Sequence, residues 1–231
     1  MFSIELKKYY WIDKGIDYPY DMCLHGDIVV NVGNDYFETD CTISATALRL
    51  LKTLTENHIA HENSKMFPCC GHFMIANEEN DTLTIIGCPY GVDLTIINKV
   101  DSVEISTEHS TTLIDIATYT KTVYTFADML QSIYEKCSQR YIPKENFEQK
   151  GYVTMWNEWT RRRNNYDHNY FCPALSRKSD SDLCAKYCSA DDSSYSTIPD
   201  YANVKELYQN AEELHDICKL CMHKQKLNDN G

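Results

Sequence analysis

The sequence predicts an α+β fold, an antiparallel β-meander sheet with packed helices, followed by a helical, cysteine-bearing C-terminal extension. Three observations lead there. Between residues 72 and 116 a series of apolar stretches with a period of two follow one another across short turns, and connections that short can join only antiparallel neighbours. Two longer stretches, 42–57 and 118–139, place apolar residues at steps of three and four, the spacing of helices with one buried face. From Cys172 onward the texture turns polar and serine-rich around short helical segments. The expected organisation is an α+β domain over 1–170 and an extension over 171–231.

Each element has a local reason. "FSIELKKYYW" (2–11) alternates as an edge strand does, and "DIVVNVGNDYFE" (27–38) reads as two strands around the turn-like Gly33-Asn34-Asp35. The first helix follows capping candidates Thr42 and Ser44 and carries Ile43, Ala47, Leu48, Leu50, Leu51 and Leu54 at helical spacing. The strands "HFMIA", "TLTIIG", "VDLTIINKV", "VEISTE" and "TTLIDI" are separated by Asn-, Asp-, Gly-, Pro- and Ser-rich turns. In the second helix Val123, Phe126, Ala127, Leu130, Ile133, Tyr134 and Cys137 form one stripe. A third helix is predicted over 146–165, with Tyr152, Met155, Trp156 and Trp159 toward one side and Arg161, Arg162 and Arg163 at its C-terminus, where cations complement the helix dipole. "SDLCAKYC" (181–188) and one long helix from Tyr201 to Lys226 complete the reading.

Composition bounds the function. A chain of 231 residues with 43% hydrophobic and 24% charged residues has ordinary globular usage, and a unit of this size buries roughly 70% of its unfolded surface. The formal charge of −12 argues against a broad nucleic-acid footprint, which needs clustered Lys and Arg. That charge is uneven: from Arg140 to Lys178 eight basic residues face four acidic ones. The charged N-terminus lacks an apolar run of signal-peptide length, and nothing approaches the ~20 apolar residues of a membrane span. The expected location is therefore cytoplasmic, a reducing compartment in which most of the 11 cysteines pack as small hydrophobes.

Few motifs carry chemistry. Glycine-rich phosphate loops, His-Glu-x-x-His and Gly-x-Ser-x-Gly do not occur. "HDICKLCMHK" (215–224) has the look of a zinc knuckle, and Cys184 with Cys188 and Cys218 with Cys221 could supply four ligands. Both pairs, however, lie within helical pattern: Val204, Leu207, Ala211, Leu214, Cys218 and Cys221 step by three and four as a packing seam, with His215 and His223 beside it. The reading is thus a helix seam, with no metal and no cofactor, and a zinc-stabilised module is the alternative. "FPCCGHF" places Cys70 near His72, the minimum for a cysteine-dependent hydrolase. The competing reading is a Pro-Cys-Cys-Gly loop entering a strand. "MWNEWTRRR" offers Trp156, Trp159, Arg161, Arg162 and Arg163 as partner-binding residues, since Trp and Arg anchor interfaces, or else as a helix pinned to the sheet, with the arginines reaching back to the acidic body.

Taken in order, "DMCLHGDIVVNVG", "TISATALRLLKTL", "PCCGHFM", "GCPYGVDLTIINKVDSVEIST", "FADMLQSIYEK" and "WNEWTRRR" resemble a family of small bacterial cytoplasmic proteins, uncharacterised and loosely associated with the immunity proteins of toxin systems. The resemblance covers residues 1 to about 165; the cysteine-bearing tail after Tyr170 departs from it. It implies a compact α+β fold and no established active site. Immunity proteins work by occlusion, and the charge of −12 fits that role, so the expected function is a non-enzymatic inhibitor that covers a basic protein partner, such as a toxin domain, with an acidic surface, where complementary charge speeds encounter.

Overall fold

The computed structural model describes residues 1–12, 16–60, 64–69, 72–87, 89–163 and 170–223. The fold is α+β, with antiparallel sheets, helices packed on them and helices at the C-terminus. Contacts divide the chain into two compact units, one of residues 1–73 with 85–133 and one of 74–84 with 134–231. The third predicted helix falls in the second unit, with the C-terminal segment.

In the first unit, β1 (Phe2–Tyr10), β2 (His25–Val32) and β3 (Asp35–Cys41) form an antiparallel sheet in that order. The register aligns Ile4 with Val30 and Phe37, and Leu6 with Ile28 and Thr39, on the inner face. A bulge between Leu6 and Lys8 shifts the register of β1. The turn from β2 to β3 has Gly33 at φ +62, a left-handed conformation that side chains with a Cβ resist. A Cβ there would also collide with Thr112 Oγ1.

The first helix, α1 (Ile43–Lys52), is buried from Ile43 through Leu51. Polar side chains in and beside it meet distant partners: Ser44 Oγ accepts the Leu24 N–H at 3.2 Å, Arg49 Nη2 donates to Ile85 O at 2.9 Å, and Thr53 Oγ1 meets Tyr119 Oη at 2.6 Å. The second helix, α2 (Ile116–Lys136), starts two residues earlier than its pattern suggested, because Asp115 accepts the Thr118 N–H at 2.9 Å as its cap. Tyr119, Val123, Phe126, Ala127 and Leu130 form its buried stripe in this unit.

The predicted meander is split. Strands β4 (His72–Ala76) and β5 (Leu83–Gly87) pair as one hairpin, while β6 (Thr95–Asn98), β7 (Ser102–Ser106) and β8 (Thr111–Asp115) form a separate sheet. The physical reason lies in the segment after α1. His58 bridges Ile96 and Phe67 bridges Val92, so this segment occupies the pairing positions that a continuous meander would have given to β5.

The second unit is built around α3 (Asn146–Arg163), in which every residue from Gly151 to Thr160 is buried. The indole of Trp156 stacks on Phe171 with centroids 3.6 Å apart and meets Tyr134 edge-on at 5.0 Å. Gly151 lets the helix approach strand backbone closely: a Cβ there would stand 2.6 Å from Met74 O. Short elements follow: β9 (Tyr170–Cys172), β10 (Arg177–Ser179), α4 (Ser181–Cys188), a 3-10 turn (Tyr195–Thr197), α5 (Tyr201–Leu207) and α6 (Ala211–Leu220). The single terminal helix expected from Tyr201 onward is two helices. Asn210 accepts the Glu213 N–H at 3.0 Å while Glu213 accepts the Gln209 N–H at 2.9 Å, a reciprocal cap that starts α6 afresh. The break is pinned by buried Tyr208, whose hydroxyl donates to Ala174 O and whose carbonyl accepts Tyr195 Oη–H. The part of the predicted helix beyond residue 223 lies outside the described residues.

Candidate interaction surface and thiol group

The outer face of the β1–β2–β3 sheet follows from the same period of two that builds its core. Asp27, Val29 and Asn31 alternate with the buried Ile28, Val30 and Val32, and Tyr36, Glu38 and Asp40 do the same on β3. The register sets Glu5 beside Val29 and Val29 beside Glu38, and places Asp27 directly opposite Asp40. All four carboxylates are exposed. Like charges directly opposite on neighbouring strands are destabilising; Lys8 stands on the other side of Asp27, and Lys7 pairs with Glu5 at 2.6 Å. Tyr10 Oη donates to Asp40 at 2.5 Å. The first unit as a whole holds 16 acidic against 8 basic residues, and so carries −8 of the chain's −12.

Beside this face, His25 stacks on Tyr10 at 5.7 Å and lies 4.0 Å from Asp21. Burial, opposed by Asp21 and Asp40, holds the imidazole below its usual range. A second histidine, His58, is fixed by Asp93, whose Oδ1 receives His58 Nε2 at 2.8 Å and the backbone N–H groups of Met66 and Leu94 at 2.9 and 3.0 Å. Burial pushes the Asp93 carboxyl up, but these hydrogen bonds outweigh it and hold the group below the ordinary carboxylate range. The arrangement orders the chain after α1 by collecting three donors on one oxygen.

The residues singled out as partner-binding fall into two groups. Trp156 and Trp159 are each 1% exposed and lie in the aromatic core of the second unit; their side chains offer a partner no surface. Arg162 Nε donates to Glu158 at 2.8 Å and its side chain is 6% exposed. Arg161 Nη2 donates to Asp81 O at 3.1 Å and to Thr82 Oγ1 at 3.2 Å. Arg163, like Arg161, is half-buried at the end of the helix. The aromatics hold the helix within the core of this unit, and Arg161 and Arg162 turn back on carbonyl, hydroxyl and acidic groups.

Two residues central to this unit gave no signal in the sequence. Glu158, fully buried, accepts the Leu83 N–H at 2.7 Å in addition to Arg162. Asn157 donates to Asn80 O at 2.7 Å and Leu220 O at 3.0 Å and accepts the Met222 N–H at 3.2 Å. Leu83 and the three partners of Asn157 all lie more than sixty residues away along the chain. Five of the eight cations in the basic stretch are also paired with carboxylates. Lys144, Arg177 and Lys178 pair with Glu213, Asp200 and Glu135, all from outside it, and Arg161 and Arg162 pair with Glu158.

The C-terminal thiols gather differently from the expected seam. Cys184 and Cys188 share one face of α4 with their sulfurs 3.7 Å apart. Cys218 lies buried on α6 with Leu214 and Ile217, but Cys221 is the extended residue that ends that helix, at φ −79 and ψ 125. His223, expected at the rim, is 6% exposed and stacked on Tyr170. His215 is half-buried, with Nε2 3.2 Å from Tyr187 O. As placed, no three His, Cys, Asp or Glu side chains among the described residues converge closely enough to hold a metal. Cys70, Cys88 and the His72 side chain lie outside the described residues, and with them the hydrolase reading.

No protein-family model, no curated protein and no solved structure matches this chain.

Proposed function

We propose that the protein is a non-enzymatic cytoplasmic binding protein of inhibitor or immunity type, which presents the outer face of its β1–β2–β3 sheet to a basic protein partner. The observation that carries this reading is the cross-strand row of Asp27 and Asp40 flanked by Glu5 and Glu38. A face that sets like charges opposite one another gives up stability in the isolated protein, and a cationic partner recovers it on binding. The pairing of Lys144, Arg161, Arg162, Arg177 and Lys178 with carboxylates supports a protein partner over nucleic acid, since phosphate binding needs clustered free cations. No helix among the described residues is long and apolar enough to cross a membrane.

The test is affinity capture from a lysate with the wild-type chain and with the Glu5→Gln/Asp27→Asn/Glu38→Gln/Asp40→Asn variant, at low and high salt. The expected result is a captured protein of high pI, lost from the variant and released by salt. Capture that ignores both the substitutions and the salt would refute the reading.

A further inference from the structure

β3 is the last strand of its sheet, and its backbone groups divide by direction. The turn from β2 holds two residues, Gly33 and Asn34, so Val32 and Asp35 close it as a hydrogen-bonded pair. Such pairs alternate with non-bonded ones along an antiparallel ladder. Phe37 and Thr39 therefore turn their N–H and C=O groups toward β2, while Tyr36, Glu38 and Asp40 turn theirs away from it. Among the described residues no backbone hydrogen bond reaches these three from the open side; only the Thr39 hydroxyl comes near, donating to Asp40 O at 3.5 Å. The same three are the exposed residues of the strand.

An open row of backbone donors and acceptors pairs with an extended chain unless something blunts it. The opposite edge of the sheet is blunted: β1 carries Lys7 and Lys8 at its bulge, and Phe2 O accepts from the Thr122 hydroxyl at 3.4 Å. β3 contains no Pro, Gly or Lys, and its register on β2 runs unbroken over seven residues. Its carboxylates decide which chain can add. A second copy laid antiparallel in full overlap would set Glu38 against Glu38, and like charges directly opposite are destabilising. A strand with cations at alternate positions meets opposite charge instead.

We infer that the basic partner adds an extended segment to the open edge of β3, as a fourth, antiparallel strand of this sheet. The inference rests on the acidic-face reading and specifies how the partner is held. The residues that bond to Tyr36, Glu38 and Asp40 place their side chains on the same outer face as those three. The arriving segment therefore carries cations at two alternate positions, opposite Asp40 and then Glu38, and a large apolar or aromatic residue opposite Tyr36. The residue between the last two is apolar and covers the half-buried Phe37 on the inner face. Main-chain hydrogen bonds supply affinity, and the alternating side chains supply the choice of partner.

The test adds the acetylated and amidated peptide Thr-Lys-Thr-Lys-Val-Tyr-Thr to the full wild-type chain at low salt. Amide exchange at Tyr36, Glu38 and Asp40 is expected to slow by about tenfold or more at saturation, with Phe37 and Thr39, already bonded to β2, little changed. N-methylation of both lysine backbone nitrogens keeps the charges but removes the N–H groups that face β3, and is expected to weaken binding by about tenfold or more. N-methylation of the central threonine and the valine, whose N–H groups face away from β3, leaves binding intact. Binding without protection of the three amides, or equal binding of the two N-methylated peptides, would overturn strand addition while leaving the acidic-face reading to its own capture test. Failure of the unmodified peptide to bind would overturn it as well, whereas loss of salt-sensitive capture bears on the face reading alone.

Discussion

Replacing Glu158 by Ala tests whether α3 is the polar as well as the aromatic centre of the second unit. The carboxylate is fully buried and faces Arg162, whose side chain is only 6% exposed, across 2.8 Å, while also accepting the Leu83 N–H at 2.7 Å. Removing it takes the acidic partner from a buried cation, which costs about 3–5 kcal/mol. In a chain of this size each kcal/mol lowers Tm by about 2–4 °C, so a fall of roughly 10 °C is expected. Chemical denaturation followed by tryptophan fluorescence reports it directly, because Trp156 and Trp159 lie in the same core. Glu158→Gln keeps an acceptor for Leu83 and falls between wild type and Glu158→Ala. Glu158→Leu/Arg162→Met, which removes both charges, recovers most of the loss, as apolar replacements of buried ion pairs do. A loss below about 1 kcal/mol for Glu158→Ala, or a double variant less stable than that single one, would refute the reasoning.

Three further outcomes are expected. Gly33→Ala lowers stability by about 1–2 kcal/mol, from the left-handed φ alone and more if Thr112 cannot move aside; a neutral result in urea denaturation would contradict the turn assignment. Asn210→Ala costs about 1 kcal/mol and raises amide exchange at the start of α6, since it removes one half of the reciprocal cap; unchanged exchange there would mean that the helix break has another cause. The Asp93 carboxyl is held below its ordinary range, so its contribution is present above the unfolded value of about 4 and is lost as pH falls through the lower folded value. Asp93→Asn should therefore flatten the acid limb of the stability curve, and identical acid limbs would contradict the assignment.

The parts of the fold that were legible in the sequence depended on near neighbours. The β2–β3 turn could be read from Gly33 and its flanking alternation, and α2 from a stripe that the structure buries at Val123, Phe126, Ala127, Leu130 and Tyr134. Where distant segments decided the outcome, local pattern misled. In α3, Thr154, Asn157, Glu158 and Thr160 have the residue types of a solvent face, yet all are buried; Asn157 and Glu158 meet the tip of the β4–β5 hairpin and Asn157 the end of α6 as well. The seam from Val204 to Cys221 kept its helical spacing across a break. The signal that could have revealed that break is Asn210-Ala-Glu-Glu213, an Asx residue three before Glu. Nothing local in the sequence could have shown that His58 and Phe67 would bridge Ile96 and Val92 and divide the meander. Of the proposed acidic face, net charge announced the sign, but only the strand register shows that Asp27 stands against Asp40.

The measurement that bears most directly on the binding proposal is the paired determination of stability and capture for Asp27→Asn. Asp27 is exposed, with Lys8 on one side and Asp40 on the other. If the row exists for a cationic partner, removing this charge leaves the fold equally stable or up to about 1 kcal/mol more stable, while capture of the basic partner weakens and loses its salt dependence. Undiminished capture, or a fold made weaker by the substitution, would contradict the account.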